Sequence, residues 1–342
     1  HPAPGGRGGA TLAVMRFGMF LPQGWRLDLV DTPPADHWFT ISDLASRADA
    51  GPWESVWVYD HMHTSPLTET EATHEAWSLM AALGATTSRV RLGQMCSCIG
   101  SRNPAMLAKT AATVDMISGG RVEMGIGAGW YQHEWEAYGF GFPSAGTRLG
   151  MLDEGVQIMR QAWSEGVVSF AGEHYEVDGA IVQPRPLQEG GIPVWIAGGG
   201  ERKTLRMAAT YADYTNFDGT PEGFAHKSEV LHRHCADIGR DTAEITRTAN
   251  YNVAIAETER EVADRLAFLR DRMARYVGAD EAERQLGAYE GLPAVGTPEQ
   301  IVEKLTELKN LGMEYGIFYF PEIATDTSGL ELFEREVIPA LG

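Results

Sequence analysis

Glu54-Ser55-Val56-Trp57-Val58-Tyr59-Asp60-His61-Met62-His63 joins a β-branched and aromatic run directly to an ionisable pair. Val56 to Tyr59 has the composition of a strand. Asp60 and His61 stand where that strand should end. In parallel α/β proteins the carboxyl ends of the strands carry the loops that build active sites. Imidazole is also the side chain best suited to proton transfer near neutral pH. The stretch therefore predicts a parallel sheet with chemistry at one end.

Outward from this point, strand-like and helical patterns alternate. Strands are expected over 16–21, 55–59, 90–95, 121–124, 193–196, 213–217, 245–256 and 315–320. Helical periodicity follows over 36–50, 74–86, 103–117, 148–163, 202–209, 221–238 and 258–275, then over 298–311 and 330–341. Eight strand–helix units imply an α/β fold with a parallel sheet, which closes naturally as a (β/α)8 TIM barrel. A doubly wound open sheet is the alternative. The chain has 342 residues against about 250 for a plain barrel, so insertions are required. One is expected at 167–185, which alternates like a hairpin, and another at 278–297. Residues 1–14, rich in Gly, Pro and Ala, read as a flexible extension or tag remnant before a single domain over 15–342.

Charge narrows the function. With 47 acidic against 28 basic residues the formal charge is −19, which opposes nucleic-acid binding and adhesion to anionic membranes. No apolar run reaches the roughly 18 residues of a membrane span. Three cysteines, Cys96, Cys98 and Cys235, fit neither a disulfide framework nor a zinc spacing. Free thiols in a reducing, cytoplasmic compartment are the expectation.

Two Gly-rich turns follow strands. Gly125-Ile126-Gly127-Ala128-Gly129-Trp130 approaches a dinucleotide fingerprint but ends on Trp130 where Gly or Ala is needed, so that reading fails. Its glycines would still let a flat ligand approach the backbone, with Trp130 and Tyr131 as walls. Ala197-Gly198-Gly199-Gly200, before Arg202, Lys203 and Thr204, would expose backbone N–H groups to a phosphate at a helix start. A plain turn is the alternative in both cases. His61-Met62-His63 has a metal-like spacing, but the later strand ends offer glycines, Asn216 and Asp218 rather than further ligands, so no metal is expected. His133-Glu134-Trp135-Glu136 lacks the second His of a zinc-protease helix. His226, His232 and His234 read as solvated, and Trp38, Trp53, Trp77 and Trp163 as core.

In this order the segments resemble the bacterial luciferase-like superfamily of flavin and deazaflavin oxidoreductases. The matching marks are Arg16-Phe17-Gly18-Met19-Phe20-Leu21-Pro22-Gln23-Gly24, Val58-Tyr59-Asp60-His61, Arg89-Val90-Arg91-Leu92-Gly93 and Arg102-Asn103-Pro104-Ala105. Ile117-Ser118-Gly119-Gly120-Arg121, Gly127-Ala128-Gly129-Trp130 and Ala197-Gly198-Gly199-Gly200 complete them. Within the superfamily the chain looks most like the actinobacterial branch that uses coenzyme F420, a 5-deazaflavin.

The resemblance implies a homodimeric barrel with the cofactor ring across the carboxyl ends of the strands. It implies hydride transfer between F420 and a small organic substrate, with His61 as proton donor or acceptor and Asp60 holding the imidazole or the ring edge. Met95, Cys96 and Ser97 would form a bulge behind the ring, with a cis peptide at Met95–Cys96. Ala128, Gly129, Trp130 and His133 would line the cofactor tail, and Ala197 to Gly200 its phosphate. Trp130 departs from the sugar-phosphate dehydrogenases of the branch, which carry an acidic residue there, and so argues against sugar oxidation. The rival on the same scaffold is an FMN-dependent monooxygenase using O2. A cofactor-binding protein without activity and a metal hydrolase are the remaining alternatives, and the intact Asp60–His61 pair opposes the former.

Overall fold

The computed structural model describes residues 14–68 and 71–342. The expected extension over 1–14 lies outside them apart from Val14. Eight strands form the centre: β1 (Arg16–Phe20), β2 (Ser55–Val58), β3 (Arg91–Gln94), β4 (Val122–Gly127), β5 (Val194–Ala197), β6 (Tyr214–Asn216), β7 (Thr246–Asn252) and β8 (Tyr315–Tyr319). Each pairs in parallel with the next. The Arg16↔Tyr315 register between β1 and β8 closes the ring. The sheet is thus a (β/α)8 barrel, and the open doubly wound alternative is excluded.

Every residue of β2 is buried, as expected for a parallel strand covered on both faces. Inside the barrel Trp57 meets Trp195 edge to face at 4.6 Å, and Trp195 stacks on Tyr214 at 4.1 Å. Burying each indole contributes about 4–6 kcal/mol by area, before entropy. The space for Trp57 comes from Gly93, where a Cβ would fall inside the indole. At the amino end of the barrel, Glu123 takes a hydrogen bond from Trp195 Nε1 at 2.7 Å and pairs with Arg91. Burial pushes the Glu123 carboxyl up to about 7, although Arg91 and Trp195 oppose the rise.

The helices are α1 (His37–Ala50), α2 (Ala76–Thr86), α3 (Pro104–Ser118), α4 (Gln132–Ala137), α5 (Ala145–Glu165), α6 (Thr204–Tyr211), α7 (Pro221–Ile238), α8 (Glu259–Val277), α9 (Ala279–Gly287) and α10 (Pro298–Asn310). A last helical run covers 328–341. Local chemistry sets their ends. Asn103 caps α3 by accepting from Ala105 and Met106, with Pro104 at the first position and Gly119 left-handed at the stop. Thr258 and Glu261 make a reciprocal capping box on α8.

Two features differ from expectation. The 245–256 run breaks after Asn252, and Ala254–Ile255 pairs with Val295–Gly296 in a separate parallel ribbon. The 278–297 segment therefore holds α9 and the partner of that ribbon. Trp38 is 42% exposed on α1, not core, whereas Trp53, Trp77 and Trp163 are buried. The 167–185 hairpin forms as expected, Val167–Ala171 against Glu176–Ile181, with a bulge between Val168 and Phe170. Among the described residues no helix is long and apolar enough to cross a membrane.

Candidate active site

The carboxyl ends of the strands surround a cavity of about 530 Å³. Asp60, His61, Met95, Cys96, Ala128, Gly129, Trp130, Ala197 and Gly198 all line it. Ser97 lies behind the wall. His133 stands outside, its ring 4.9 Å from that of His63, and Gly199 and Gly200 are not in the lining, although Gly198 and Thr204 on either side of them are. The Met95–Cys96 peptide is cis, at the position the resemblance implied.

Asp60 is committed on both carboxylate oxygens. Ser97 Oγ donates to Oδ2 at 2.7 Å, and the Arg102 guanidinium reaches Oδ2 and Oδ1 at 2.6 and 3.0 Å. Arg102 also meets Glu75, whose carboxylate accepts from the first backbone N–H groups of α2. Burial would raise the Glu75 carboxyl, but Ser78, Arg102 and Trp77 hold it below the ordinary range. Asp60 thus ties the strand end to the loop before α3 and, through Arg102, to the cap of α2, and it makes no hydrogen bond to the imidazole.

His61 is held instead by Glu134, from α4. His61 Nδ1 and Glu134 Oε2 are 2.8 Å apart, while Oε1 accepts from the backbone N–H groups of Met62 and His63 at 2.7 and 2.9 Å. Burial would raise the Glu134 carboxyl, yet these donors hold it below its usual range. A carboxylate only accepts, so the Nδ1 position carries the proton. Nε2 has no partner among the described residues. Trp25 stacks on the imidazole at 4.3 Å and 4°, and the edges of Trp130 and Tyr131 approach at 5.8 and 5.9 Å. The ring is fixed on one face and one edge, with one nitrogen left for a ligand.

The thiols do not compete for this chemistry. All three cysteines are free, and burial pushes Cys96 up to about 12 and Cys98 up to about 11. Gly127 is required beside them, because a Cβ there would lie 2.7 Å from Cys96 Sγ. Among the described residues no three His, Cys, Asp or Glu side chains gather as a metal site.

Sequence reasoning missed Glu134, Trp25, Arg26, Asn250 and Asn252. Asn216 was visible as a strand end, but not as part of a cluster. The only signal for Glu134 was its place in the His133–Glu136 segment, which a metal-ligand template rejects. Nothing in residue spacing shows that α4 turns this carboxylate back onto the end of β2.

The luciferase-like monooxygenase family model matches residues 15–315. The chain belongs to that family. Among its relatives in the luciferase-like family is pyrimidine monooxygenase RutA of Stutzerimonas stutzeri, 28% identical over 292 residues and 78% of each chain. F420-dependent glucose-6-phosphate dehydrogenase of Kineococcus radiotolerans is 30% identical over 233 residues, 67% of each chain. The fold matches that of an F420-dependent secondary alcohol dehydrogenase in complex with an F420–acetone adduct, with a TM-score of 0.77 at 21% identity, covering 96% of this chain and 99% of the other. These luciferase-like relatives are oxidoreductases, and both F420-dependent enzymes and monooxygenases occur among them.

Proposed function

We propose that this chain is an F420-dependent oxidoreductase that moves a hydride between the deazaflavin and a small organic substrate, with His61 handling the accompanying proton. The observation that carries the reading is the His61–Glu134 pair at the cavity wall, with Nδ1 occupied and Nε2 without a partner. The F420-dependent relative at 30% identity supports the choice of cofactor.

The cavity suits a flat ring with a phosphate tail. Its walls are backbone at Ala128–Gly129 and Ala197–Gly198, with aromatic faces above. The N–H groups of Gly199 and Gly200 donate to nothing among the described residues. The start of α6 has no side-chain cap. Open backbone donors in a glycine turn leading into a helix suit a phosphate. When bound, the deazaflavin supplies or receives the hydride. On the protein side, His61 Nε2 takes the proton from a substrate hydroxyl during oxidation or returns it to a carbonyl oxygen during reduction. Glu134 fixes the tautomer that makes Nε2 available and stabilises the imidazolium that forms. Asp60, Arg102 and Ser97 keep the strand end rigid beneath them.

The RutA relative, matched over 78% of the chain, favours a second reading: an FMN-dependent monooxygenase on the same scaffold. Fluorescence titration of the purified protein with F420 and with FMN separates the two. Tight F420 binding together with anaerobic turnover supports the first reading. Selective FMN binding with obligate oxygen uptake rejects it.

A further inference from the structure

On the wall formed by the loop after β1 and the ends of β6 and β7, the cavity presents a cation without a counter-charge. Arg26 forms no ion pair among the described residues, although its guanidinium lines the cavity. Its Nη1 donates to Asn252 Oδ1 at 2.7 Å, and its Cζ lies 4.8 Å from the Tyr319 ring centroid. The nearest carboxylate in sequence, Asp28, is committed to the N–H groups of Gln23 and Gly24 and to the Tyr319 hydroxyl. Arg91, Arg102, Arg265 and Arg272 are paired with Glu123, Asp60, Glu322 and Asp31, and the unpaired Arg121, Arg148 and Arg247 give their N–H groups to backbone carbonyls, whereas Arg26 has neither among the described residues. A desolvated cation is costly when left unpaired.

The amides beside Arg26 have a fixed polarity. Arginine only donates, so Asn252 turns Oδ1 toward it and keeps Nδ2 free. The second chain starts at Thr248, whose hydroxyl donates to the Thr215 carbonyl at 2.6 Å. Thr248 Oγ1 must therefore accept from Asn216 Nδ2, at 3.0 Å. The same Nδ2 reaches Asn250 Oδ1 at 2.9 Å, which leaves Asn250 Nδ2 free. Asn250 is the one exposed residue of β7, and its exposed surface faces the cavity. Trp25 Nε1, buried in the adjoining wall, also lacks an acceptor. Arg26, Asn250 and Asn252 thus offer donors to the cavity, and His61 stacks on the neighbouring Trp25.

We propose that this donor wall is a carboxylate-binding subsite and that the substrate of this enzyme carries a carboxylate held by Arg26. A planar guanidinium matches a carboxylate with two parallel hydrogen bonds, and the free amide N–H groups take the remaining lone pairs. The proposal rests on the enzymatic reading above for the word substrate. The subsite itself is testable without turnover.

The probes are benzoate and acetate, each against its neutral isostere, benzamide or acetamide, with affinity read from tryptophan fluorescence. In the wild-type protein at least one carboxylate should bind ten-fold or more tightly than its amide. Arg26→Met should bring that ratio to about one. Asn252→Asp places a carboxylate beside Arg26 without removing its packing, and should also abolish the preference. Circular dichroism and F420 affinity serve as checks that both variants are folded. Equal affinity for acid and amide in the wild type overturns the proposal. So does a preference that survives Asn252→Asp, or displacement of bound benzoate by saturating F420, which would assign the donors to the cofactor. If the protein ignores F420 but keeps the carboxylate preference, the cofactor reading fails and the subsite stands.

Discussion

Glu134→Gln removes one negative charge and leaves a single amide oxygen where the carboxylate has two. In the native site Oε1 serves the fixed backbone N–H groups of Met62 and His63, and Oε2 serves His61 Nδ1 at 2.8 Å. Two backbone donors outbid one side chain, so the amide oxygen stays with them and its NH2 faces the imidazole. An NH2 group can only donate, hence Nδ1 must become the acceptor and the ring proton moves to Nε2. His61 would then present N–H to the cavity in place of a lone pair. A hydrogen bond to a charged partner contributes about 1.5–3 kcal/mol. Lost in the step where the imidazole gains charge, that lowers kcat by about 10- to 100-fold. The tautomer is read directly, without substrate, from the imidazole 15N chemical shifts of labelled protein. An unchanged tautomer in a folded Glu134→Gln protein would refute the reasoning, as would kcat within two-fold of wild type in the F420 absorbance assay.

Glu123 predicts a pH dependence of stability. Its folded carboxyl is pushed up to about 7 by burial, from 4.5, so between these values the native state binds more protons than the unfolded state and stability falls as pH rises. The upper bound on the loss is about 3 kcal/mol, with the opposing pull of Arg91 already contained in the value of about 7. Urea unfolding from pH 4.5 to 8 should show a shallower decline in Glu123→Gln than in wild type; parallel curves would contradict the assignment. Two glycines give a contrasting pair. A Cβ on Gly125 would strike the Gln94 carbonyl, a backbone atom that cannot rotate away, so Gly125→Ala should cost about 3 kcal/mol in urea unfolding. Gly146 in α5 meets only Ser144 Oγ at 3.7 Å, and Gly146→Ala should gain about 0.5 kcal/mol from helix propensity. Similar effects at the two positions would break the packing account.

The barrel was legible because its signal is periodic. Strand runs such as Val56–Tyr59 and capped starts such as Asn103-Pro104 state their conformation locally, and eight alternations leave few ways to close a sheet. The break at Val253 was not legible. Residues 245–256 have uniform strand composition, and only the arrival of Val295–Gly296 divides them. Asp60 and His61 were placed correctly at the strand end for the same local reason. Their partners were not, since Arg102 reaches in from the loop before α3 and Glu134 from α4, and no spacing rule links positions 60 and 102 or 61 and 134.

What the sequence hides most completely is hydrogen-bond polarity. Asn216, Asn250 and Asn252 read as ordinary strand-end amides, each able to point either way. Their orientation follows only from two separate chains of constraints, one starting at the Thr215 carbonyl, which must accept, and one at the Arg26 guanidinium, which must donate. Along each chain every amide is forced, and one NH2 group is left over at the end of each, on Asn250 and on Asn252. The same logic governs His61, whose free nitrogen is chosen by Glu134 from outside the strand. One cavity therefore has two chemically distinct walls, each set by a single residue that only donates or only accepts. A substrate lying between them would have its reacting atom at Nε2 and its acceptor group at Arg26. Changing Glu134 should alter the chemical step and changing Arg26 the choice of ligand, so a double variant should show the two losses independently.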